Sequence, residues 1–254
     1  MNGQSSKAGA ARLESGFTLV ELLVALLIGL FLLGGLLTIV QDNRRAFSSQ
    51  NQLSQLQDAE RMAMTLMTDV IQSAGYFPDP TTNTAASALP IANPIAAGQG
   101  LYGVAGAAPP GDTITVRYAT NSGDGIVNCL GDDNTSGAQV TYTNVFSVVN
   151  GQLVCTLNGQ SYPLVGTVPN AVPTTTNGIV VNNLSVLYGI GTAGNVTSYV
   201  SAANVTDWFD VISVQVTVQF DNPLWSAAPT QGQGNQPQYV TVQRDISVMN
   251  QTGI

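Results

Sequence analysis

The chain has 254 residues, of which only 9% are charged, and it carries a formal net charge of −8 with no histidine. The length allows one large domain, or one domain with an appendage. The negative balance lacks the basic footprint of a nucleic-acid-binding protein, and the lack of histidine excludes histidine acid–base catalysis and histidine metal ligands. Polarity comes mainly from Asn, Gln, Ser and Thr, which suits an extracellular or assembled protein.

The first predicted element is an apolar helix near the N-terminus. From Leu22 to Val40 the only polar side chain is Thr38, and the length of this run matches the roughly 20 residues that cross a hydrocarbon core. Lys7 and Arg12 precede the run, so the rule that positive flanks stay in the cytoplasm predicts an N-terminus inside and the bulk of the chain outside. No A-x-A cleavage pattern follows in QDNRRAF, so we expect the run to be retained.

The junction ahead of this run carries a more specific signal. The stretch GFTLVELLVALLIG, which begins at Gly16, resembles the prepilin signature of type IV pilins and type II secretion pseudopilins. The resemblance implies that a prepilin peptidase cuts between Gly16 and Phe17, and that Phe17 becomes N-methylated. It also maps the family's glutamate onto Glu21, which would neutralise the terminal amine of a neighbouring subunit. The leader that precedes the cut, 16 residues long, is longer than many in the family.

Glu21 is a carboxylate inside an apolar run, and such groups usually mark function. Insertion costs roughly 2.5–3.5 kcal/mol at the bilayer centre and less near an interface. Once Phe17 is the first residue, its amine lies about one helical turn away, and a charge pair in a low dielectric can select one register during assembly. The alternative is a glutamate that only snorkels at the interface. Gly29, Gly34 and Gly35 either permit close packing and partial unwinding or are ordinary membrane-helix glycines.

The helical pattern continues beyond the apolar run as an amphipathic segment. No Gly or Pro occurs between Gln41 and Ala74, and apolar residues recur mostly at steps of three and four. These apolar positions are Leu53, Leu56, Ala59, Ala63, Leu66, Met67, Val70, Ile71 and Ala74. Gly75 is a suitable residue to follow a helix, and Pro78 stands just beyond. We therefore predict one helix over residues 18–74, whose second half lays a stripe on a globular domain.

The remaining chain predicts an antiparallel β-domain. Residues 78–111, rich in Pro and Ala, are predicted to form a mostly irregular connection. Alternating patterns predict strands in DTITVRYAT, GIVVNNLSVLYGI, TSYVSAANVTDWFDVISVQVTVQF and QYVTVQRDISVMN, and two Asn-Gly pairs predict hairpins in VTYTNVFSVVNGQLVCTLNGQSYPLV. The longest alternation places apolar side chains at Ile212, Val214, Val216, Val218 and Phe220. One face of that strand should therefore be buried.

The two cysteines, Cys129 and Cys155, are 26 positions apart and belong to no CxxC pair. This spacing disfavours zinc and redox motifs, and it favours a structural disulfide in an oxidising compartment over two buried free thiols. Cys155 lies between the two Asn-Gly pairs, and Cys129 lies in the preceding loop NSGDGIVNCLGDDN. The disulfide would attach this loop to the sheet and stabilise the fold by about 3.5 kcal/mol on the chain-entropy account.

Other possible sites carry weaker signals. Asp124, Asp132 and Asp133 offer oxygen ligands of the kind that Ca²⁺ prefers, but EF-hand spacing is missing and a solvated acidic loop is the plainer interpretation. Trp225, in a long loop, is either a contact residue or a cover for the sheet edge. Sequons for N-glycosylation arise by chance in an Asn-rich chain. No nucleophile–base pair, phosphate loop or metal set is visible, so we expect neither enzyme activity nor a cofactor.

The resemblance as a whole implies an α+β protein with the type IV pilin fold. It divides the chain into a cytoplasmic leader (1–16), a membrane and filament-core helix (17–40), an amphipathic half-helix (41–75) and a β-rich globular domain (76–254). The stretches DVIQSAGYF, LSVLYGI and YVSAANVTDWFDVISVQVTVQF resemble the PilW-type minor pilins more than the major subunit. The central position of the cysteines also departs from the major subunit.

That resemblance implies a minor pilin that primes type IV pilus assembly in a tip complex and supports twitching motility and adhesion. Its partners would be the prepilin peptidase, the major pilin, other minor pilins, a large tip adhesin and the inner-membrane assembly platform. It would be a single-pass inner-membrane precursor before it enters the extracellular pilus. One alternative is the J-type minor pseudopilin of a type II secretion system. Another is a tip pilin that itself binds DNA or a surface, although direct DNA binding lacks electrostatic support because only five arginines and no lysine follow Gly16.

Overall fold

The structure is a computed structural model that describes residues 16, 18–167, 178–192, 194–226 and 236–248. The chain forms two compact units, Met1–Ser48 and Ser49–Ile254. The first unit contains the N-terminal part of one long helix. The second contains the rest of that helix and an antiparallel β-domain.

Helix α1 runs over Leu19–Gln72. It begins just after Thr18, whose Oγ1 accepts a hydrogen bond from the backbone N–H of Glu21 at 3.3 Å, and threonine is a favoured residue at this capping position. It ends shortly before Gly75, whose φ of 75° takes the backbone out of the helical conformation. The predicted helix over residues 18–74 is therefore confirmed to within two residues at each end.

The first sheet has five antiparallel strands in the order β1-β2-β3-β4-β5. Their bounds are β1 Leu101–Val104, β2 Thr113–Thr120, β3 Val140–Val149, β4 Gln152–Leu157 and β5 Gln160–Gly166. The two Asn-Gly pairs, 150–151 and 158–159, connect β3 to β4 and β4 to β5, and all four residues have positive φ. A type I′ turn requires positive φ at both central positions, and this is why Asn-Gly predicts it. Both predicted hairpins are confirmed.

The second sheet has four antiparallel strands in the order β7-β6-β8-β9. Their bounds are β6 Val181–Thr192, β7 Asn195–Ser201, β8 Val211–Asp221 and β9 Tyr239–Ser247. Two short 3-10 turns, Ala202–Asn204 and Trp208–Asp210, lie between β7 and β8. Every stretch for which alternation predicted a strand contains at least one strand in the structure.

The predicted inward face of β8 is wrong at its first position. Val211 is fully buried, whereas Ile212 is only half-buried. The pairing with β6 shifts register at this point, because Gly189 pairs with Ser213 while Ile190 pairs with Val211. An extra residue in one strand of an antiparallel pair is a β-bulge, and it reverses the faces of the residues before it. From Val214 onward the predicted alternation holds.

The predicted irregular connection over residues 78–111 contains two elements that the sequence pattern missed. A single helical turn, α2, spans Ala85–Ala88 and is held by a reciprocal capping box between Thr84 and Ser87. Strand β1 is formed by LYGV and pairs with β2 along its whole length. Four residues are too few to show a period, so pairing with β2 decides that this segment is a strand.

A short parallel contact joins the two sheets. Gly111 forms a bridge with Leu184 on β6, and the Asp112 N–H donates to the Leu184 carbonyl at 2.7 Å. The Asp112 Oδ2 accepts from the Val186 N–H at 2.8 Å. A Cβ on Gly111 would lie 2.1 Å from the Leu184 carbonyl oxygen, and its φ is +94°. Glycine is therefore required here, both for the close approach and for the backbone conformation.

One hydrophobic core joins the second half of α1 to both sheets. The buried residues of α1 are Leu56, Ala63, Met64, Met67, Val70 and Ile71, and the largest from the sheets are Tyr118, Phe146, Tyr188 and Phe220. Two members of the predicted stripe lie at its margin, since Leu53 is 37% exposed and Leu66 is half-buried. The predicted α+β class, with a long N-terminal helix packed on antiparallel strands, is confirmed.

Candidate functional site

Glu21 lies in the first turn of α1, and its side chain is exposed. Its backbone N–H donates to Thr18 Oγ1, and a threonine followed three residues later by glutamate has the spacing of a capping box. A carboxylate in the first turn is also favoured by the helix dipole. The Thr18 hydroxyl therefore caps the helix through the backbone of Glu21, and the Glu21 carboxylate adds a favourable charge in the first turn.

The start of α1 is apolar on every side. Its most apolar 18-residue window has a mean hydropathy of 2.8, and within this part of the described helix no residue is buried. Leu19 is 75% exposed and Phe31 is 77% exposed. A helix that is hydrophobic all round normally lies in a membrane or in the interior of a larger structure. This segment is long and apolar enough to cross a bilayer, as its sequence predicts.

Covering these exposed side chains would release a large free energy of burial. Burial of one Leu, Ile, Val or Phe contributes about 1.5–3 kcal/mol. The exposed ones in this segment are Leu19, Val20, Leu22, Leu23, Val24, Leu26, Leu27, Ile28, Leu30, Phe31, Leu32, Leu33, Leu36, Leu37, Ile39 and Val40. Such a surface is stable only when lipid or other apolar helices cover it.

The polar and small residues of the segment do not interrupt it. Thr38 Oγ1 donates to the Gly34 carbonyl at 3.1 Å, which satisfies the hydroxyl within the helix. A Cβ built on Gly29, Gly34 or Gly35 would meet no described atom within 4 Å, apart from those of neighbouring residues in the helix. These glycines are therefore not needed to fit anything in the described chain. They remain available for close contact with another helix.

The predicted processing site lies at the margin of the described chain. Gly16 is exposed. Phe17 lies outside the described residues, as does the leader before Gly16. Cleavage between the two residues and methylation of Phe17 stay predictions of the sequence.

In the second unit, a disulfide attaches the loop between β2 and β3 to the first sheet. It joins Cys129 in the loop to Cys155 on β4, with 6.4 Å between the Cα atoms, and both residues are fully buried. The Cys129 N–H donates to Asn144 Oδ1 at 3.0 Å, and the Tyr118 hydroxyl donates to the Val127 carbonyl at 2.6 Å. Burial raises the pKa of Tyr118 well above its usual range, so it acts as a neutral hydrogen-bond donor.

The acidic residues of this loop organise its backbone. Asp124 Oδ2 accepts from the Asn121 N–H at 2.8 Å, and its Oδ1 accepts from the Ile126 N–H at 3.0 Å. Asp133 Oδ1 accepts from the Asn134 N–H at 2.7 Å. Over the described ranges, no group of three or more Cys, Asp or Glu side chains is arranged to hold a metal ion. The loop therefore uses Asp124 as an internal acceptor.

Arg117 is a charged residue that sequence reasoning passed over. It lies on β2, is only 3% exposed, and its Nη2 donates to the Pro90 carbonyl at 2.7 Å. Its Nε and Nη1 are buried and find no hydrogen-bond partner in the part of the chain that the structure describes. Burial lowers the pKa of the guanidinium, because the charged form is poorly solvated there. Nothing in the strand pattern distinguishes this arginine from an exposed one.

An aromatic cluster with members from both sheets was also not foreseen. Trp208 packs against Tyr188 and Tyr102, with ring centroids 4.8 Å and 5.3 Å away. The three residues come from a 3-10 turn, β6 and β1, so only tertiary structure brings them together.

Comparison with known proteins agrees with the N-terminal features. Residues 11–37 match the family described as the prokaryotic N-terminal methylation motif. Among solved structures, the chain is similar to a type IV-like pilin from Thermus thermophilus, at 12% identity and a TM-score of 0.41, over 77% of this chain and 96% of that one. A comparison with curated proteins gives no match.

The chain therefore carries a prepilin-type methylation motif, and the motif implies processing by a prepilin peptidase. The motif leads into one apolar helix. These two features fit a membrane-anchored pilin precursor.

Proposed function

We propose that this protein is a minor pilin that primes assembly of a type IV pilus. The observation that carries the proposal is the match of residues 11–37 to the N-terminal methylation motif, which leads into a helix with no buried side chain in its most apolar described window. A soluble enzyme has no use for such a segment. A filament subunit does, because the segment holds the precursor in the membrane and later packs among the helices of its neighbours.

In this proposal the peptidase cuts after Gly16, and Phe17 becomes the N-methylated first residue. The new amine lies four residues before Glu21, which is about one turn of a helix. In a low dielectric, an unpaired carboxylate or ammonium is costly, so a subunit in the correct register, whose Glu21 meets a neighbour's amine, is favoured over one that leaves both charges unpaired. The charge pair then acts as a register check, and the apolar side chains supply most of the attraction.

The β-domain after residue 76 would determine which subunits meet. We propose that the protein is of the PilW type and occupies a tip complex with other minor pilins, the major pilin and a large tip adhesin. It would enter this complex through the inner-membrane assembly platform and support twitching motility and adhesion. It would have a structural role and carry out no catalysis.

A substitution at Glu21 tests the assembly step. Glu21→Gln removes the charge but keeps a side chain that suits the capping box, since Glu and Gln both serve there. We expect leader cleavage to proceed and recovery of the tagged protein in sheared surface filaments to fall at least tenfold. Asp42→Asn, which removes an exposed carboxylate beyond the apolar run, is the matched control and should assemble normally. Normal incorporation of Glu21→Gln would show that assembly does not need the Glu21 charge.

A deletion in the native host tests the system to which the protein belongs. Surface pili are imaged and secreted hydrolases are assayed in the same strain. Loss of pili and twitching with normal secretion supports the minor-pilin assignment. Intact pili with enzymes retained in the periplasm would instead assign the chain to a type II secretion system, as a J-type minor pseudopilin.

A further inference from the structure

A polar cleft beside Trp225 is not used by the proposed assembly function. Its volume is about 390 Å³, within the range of about 300–1,000 Å³ typical of small-molecule sites. It lies within the second unit, between α1 and the segment that follows β8. It is lined by one aromatic residue, Trp225, and by the polar residues Ser49, Gln52, Ser226 and Gln236.

One buried side chain, Asn222, connects the two chain segments that line one side of the cleft. Its Nδ2 donates to the Pro237 carbonyl at 2.8 Å, and its Oδ1 accepts from the Leu224 N–H at 2.9 Å. Its own N–H donates to the Gln238 carbonyl at 2.9 Å, and its carbonyl accepts from the Trp225 N–H at 3.0 Å. The chain on both sides of the loop is therefore attached to one residue. Chain segments that are already fixed in the free protein lose less conformational entropy when a ligand binds.

Trp225 lines this cleft, and 41% of the residue is exposed. Tryptophan buries a large apolar area when it is covered, so an exposed indole in a concave site is available for a ligand. The side chains around it are amides and hydroxyls, which both donate and accept hydrogen bonds. Of the described residues that line the cleft, none is charged.

We infer that this cleft binds a neutral saccharide. A pyranose ring has an apolar face of C–H groups that fits against an indole, and it has hydroxyl groups around its edge that match Gln and Ser side chains. An apolar peptide side chain would leave these amides unpaired, which costs free energy. An ionised sugar would find no countercharge among the described lining residues. The ligand could come from the cell's own surface polysaccharide or from a foreign glycan, which share this chemistry.

The test uses the full-length protein in a detergent without a sugar headgroup. The chain contains two tryptophans, so Trp208→Phe leaves Trp225 as the only fluorescent indole. This variant is titrated with four neutral sugars, maltotriose, cellotriose, tri-N-acetylchitotriose and a fucosylated neutral trisaccharide, and with one anionic trisaccharide, sialyllactose. We expect a saturable shift in emission with at least one of the neutral sugars at millimolar or lower concentration.

Calorimetry with the same sugar, on variants in the wild-type background, supplies a readout that does not depend on fluorescence. Trp225→Ala should abolish binding, and Gln52→Ala and Gln236→Ala should each weaken it about threefold to tenfold, since one hydrogen bond is worth about 0.5–1.5 kcal/mol. Gln57→Ala, an exposed position on the same helix outside the cleft, should bind normally.

Any one of three outcomes would overturn the inference. The first is that none of the four neutral sugars binds, and the second is that Trp225→Ala binds as well as the wild type. The third is that an anionic sugar binds while the neutral ones do not. If no sugar binds and Trp225→Ala instead lowers crosslinking to another pilin, the cleft is a protein contact. Because the assay measures binding by one purified chain, its failure is independent of whether the protein assembles into a pilus.

When binding is found, inhibition of adhesion separates the two sources. Free sugar that blocks attachment of piliated cells to a glycan-coated surface identifies a foreign glycan. Binding to polysaccharide purified from the native host identifies the cell's own.

Discussion

Two charged side chains of the β-domain, Arg117 and Asp221, lie in surroundings that favour their neutral forms. Burial lowers the pKa of Arg117. Burial raises the pKa of Asp221, and a hydrogen bond from Asn182 opposes this effect. The Oδ1 of Asp221 is buried, and no described group donates a hydrogen bond to it. Each residue therefore gives a prediction about stability.

We predict that Arg117→Met stabilises the protein. The substitution removes a guanidinium with two buried nitrogens that lack partners in the described chain, and it keeps a side chain long enough to fill the space. Replacing buried ion pairs by apolar residues of similar volume is often neutral or stabilises by about 1–4 kcal/mol. For the unpaired Arg117 we expect a gain of about 1–2 kcal/mol, because Pro90 loses its donor. The free energy of unfolding is measured in urea for the full chain in detergent.

Arg244→Met is the matched control for that measurement. Arg244 is exposed, and its Nη1 donates to Thr68 Oγ1 on α1 at 3.1 Å. Its loss should lower the free energy of unfolding by up to about 1 kcal/mol. A loss of 3 kcal/mol or more in Arg117→Met would show that the buried guanidinium has a strong partner in the folded protein.

Asp221 should make stability rise as the pH falls. Because its pKa is higher in the folded protein than in the unfolded chain, the folded state binds the proton more tightly. Its contribution to stability therefore increases as the pH falls through the raised folded pKa, and it is complete below the ordinary aspartate pKa of 3.8. We predict that Asp221→Asn reduces this slope, measured by urea unfolding at several pH values. An unchanged slope would contradict the prediction.

At the scale of elements, α1 meets different physical requirements along its length. Its first part has no buried residue in its most apolar described window, while the part beyond Ser49 contributes a full stripe to the core. The stripe is irregular at its edges, because Met64 is buried and Leu53 is not. Which residues of an amphipathic face are covered depends on where the sheets lie, and the period of the helix does not contain that information.

The loop between β2 and β3 gives a prediction at this scale. We expect the double substitution Cys129→Ser and Cys155→Ser to lower the free energy of unfolding by about 3.5 kcal/mol, because the disulfide closes a loop of 26 residues. The polar contacts of Asp124 and Asn134 should keep the loop partly ordered. Hydrogen exchange would therefore show faster exchange in this loop, while the strands of the second sheet keep their protection.

The measurement has its own control, because the wild type under reducing conditions should match the double variant. A reduced wild type as stable as the oxidised one would show that strand pairing and hydrogen bonds alone hold this loop.

At the scale of the whole molecule, charge restricts the partners. After the predicted cut, the chain has five arginines and fourteen acidic residues, with no lysine. Binding to DNA depends on basic groups that release the counterions of the phosphates. We predict no retardation of double-stranded DNA by micromolar protein at physiological salt in a gel-shift assay. A shift that weakens steeply as salt increases would instead reveal a local basic surface.

The sequence by itself determined the features that depend on local chemistry. The prepilin-type motif, the apolar run, the limits of α1 and both Asn-Gly hairpins were readable, because each depends on neighbouring residues, on helix length or on the sign of φ at a turn. The pairing of Cys129 with Cys155 was also readable, since the chain has only two cysteines.

Tertiary structure alone decided the rest. Strand β1, the bulge that turns Ile212 away from the core, the approach of Gly111 to Leu184 and the burial of Arg117 all involve segments far apart in the chain. The cleft at Trp225 likewise joins α1 to residues more than 150 positions later. Periodicity reports which face of an element is apolar, but it does not report what covers that face. The covering of each face is set by long-range packing, because only packing brings distant strands and loops into contact.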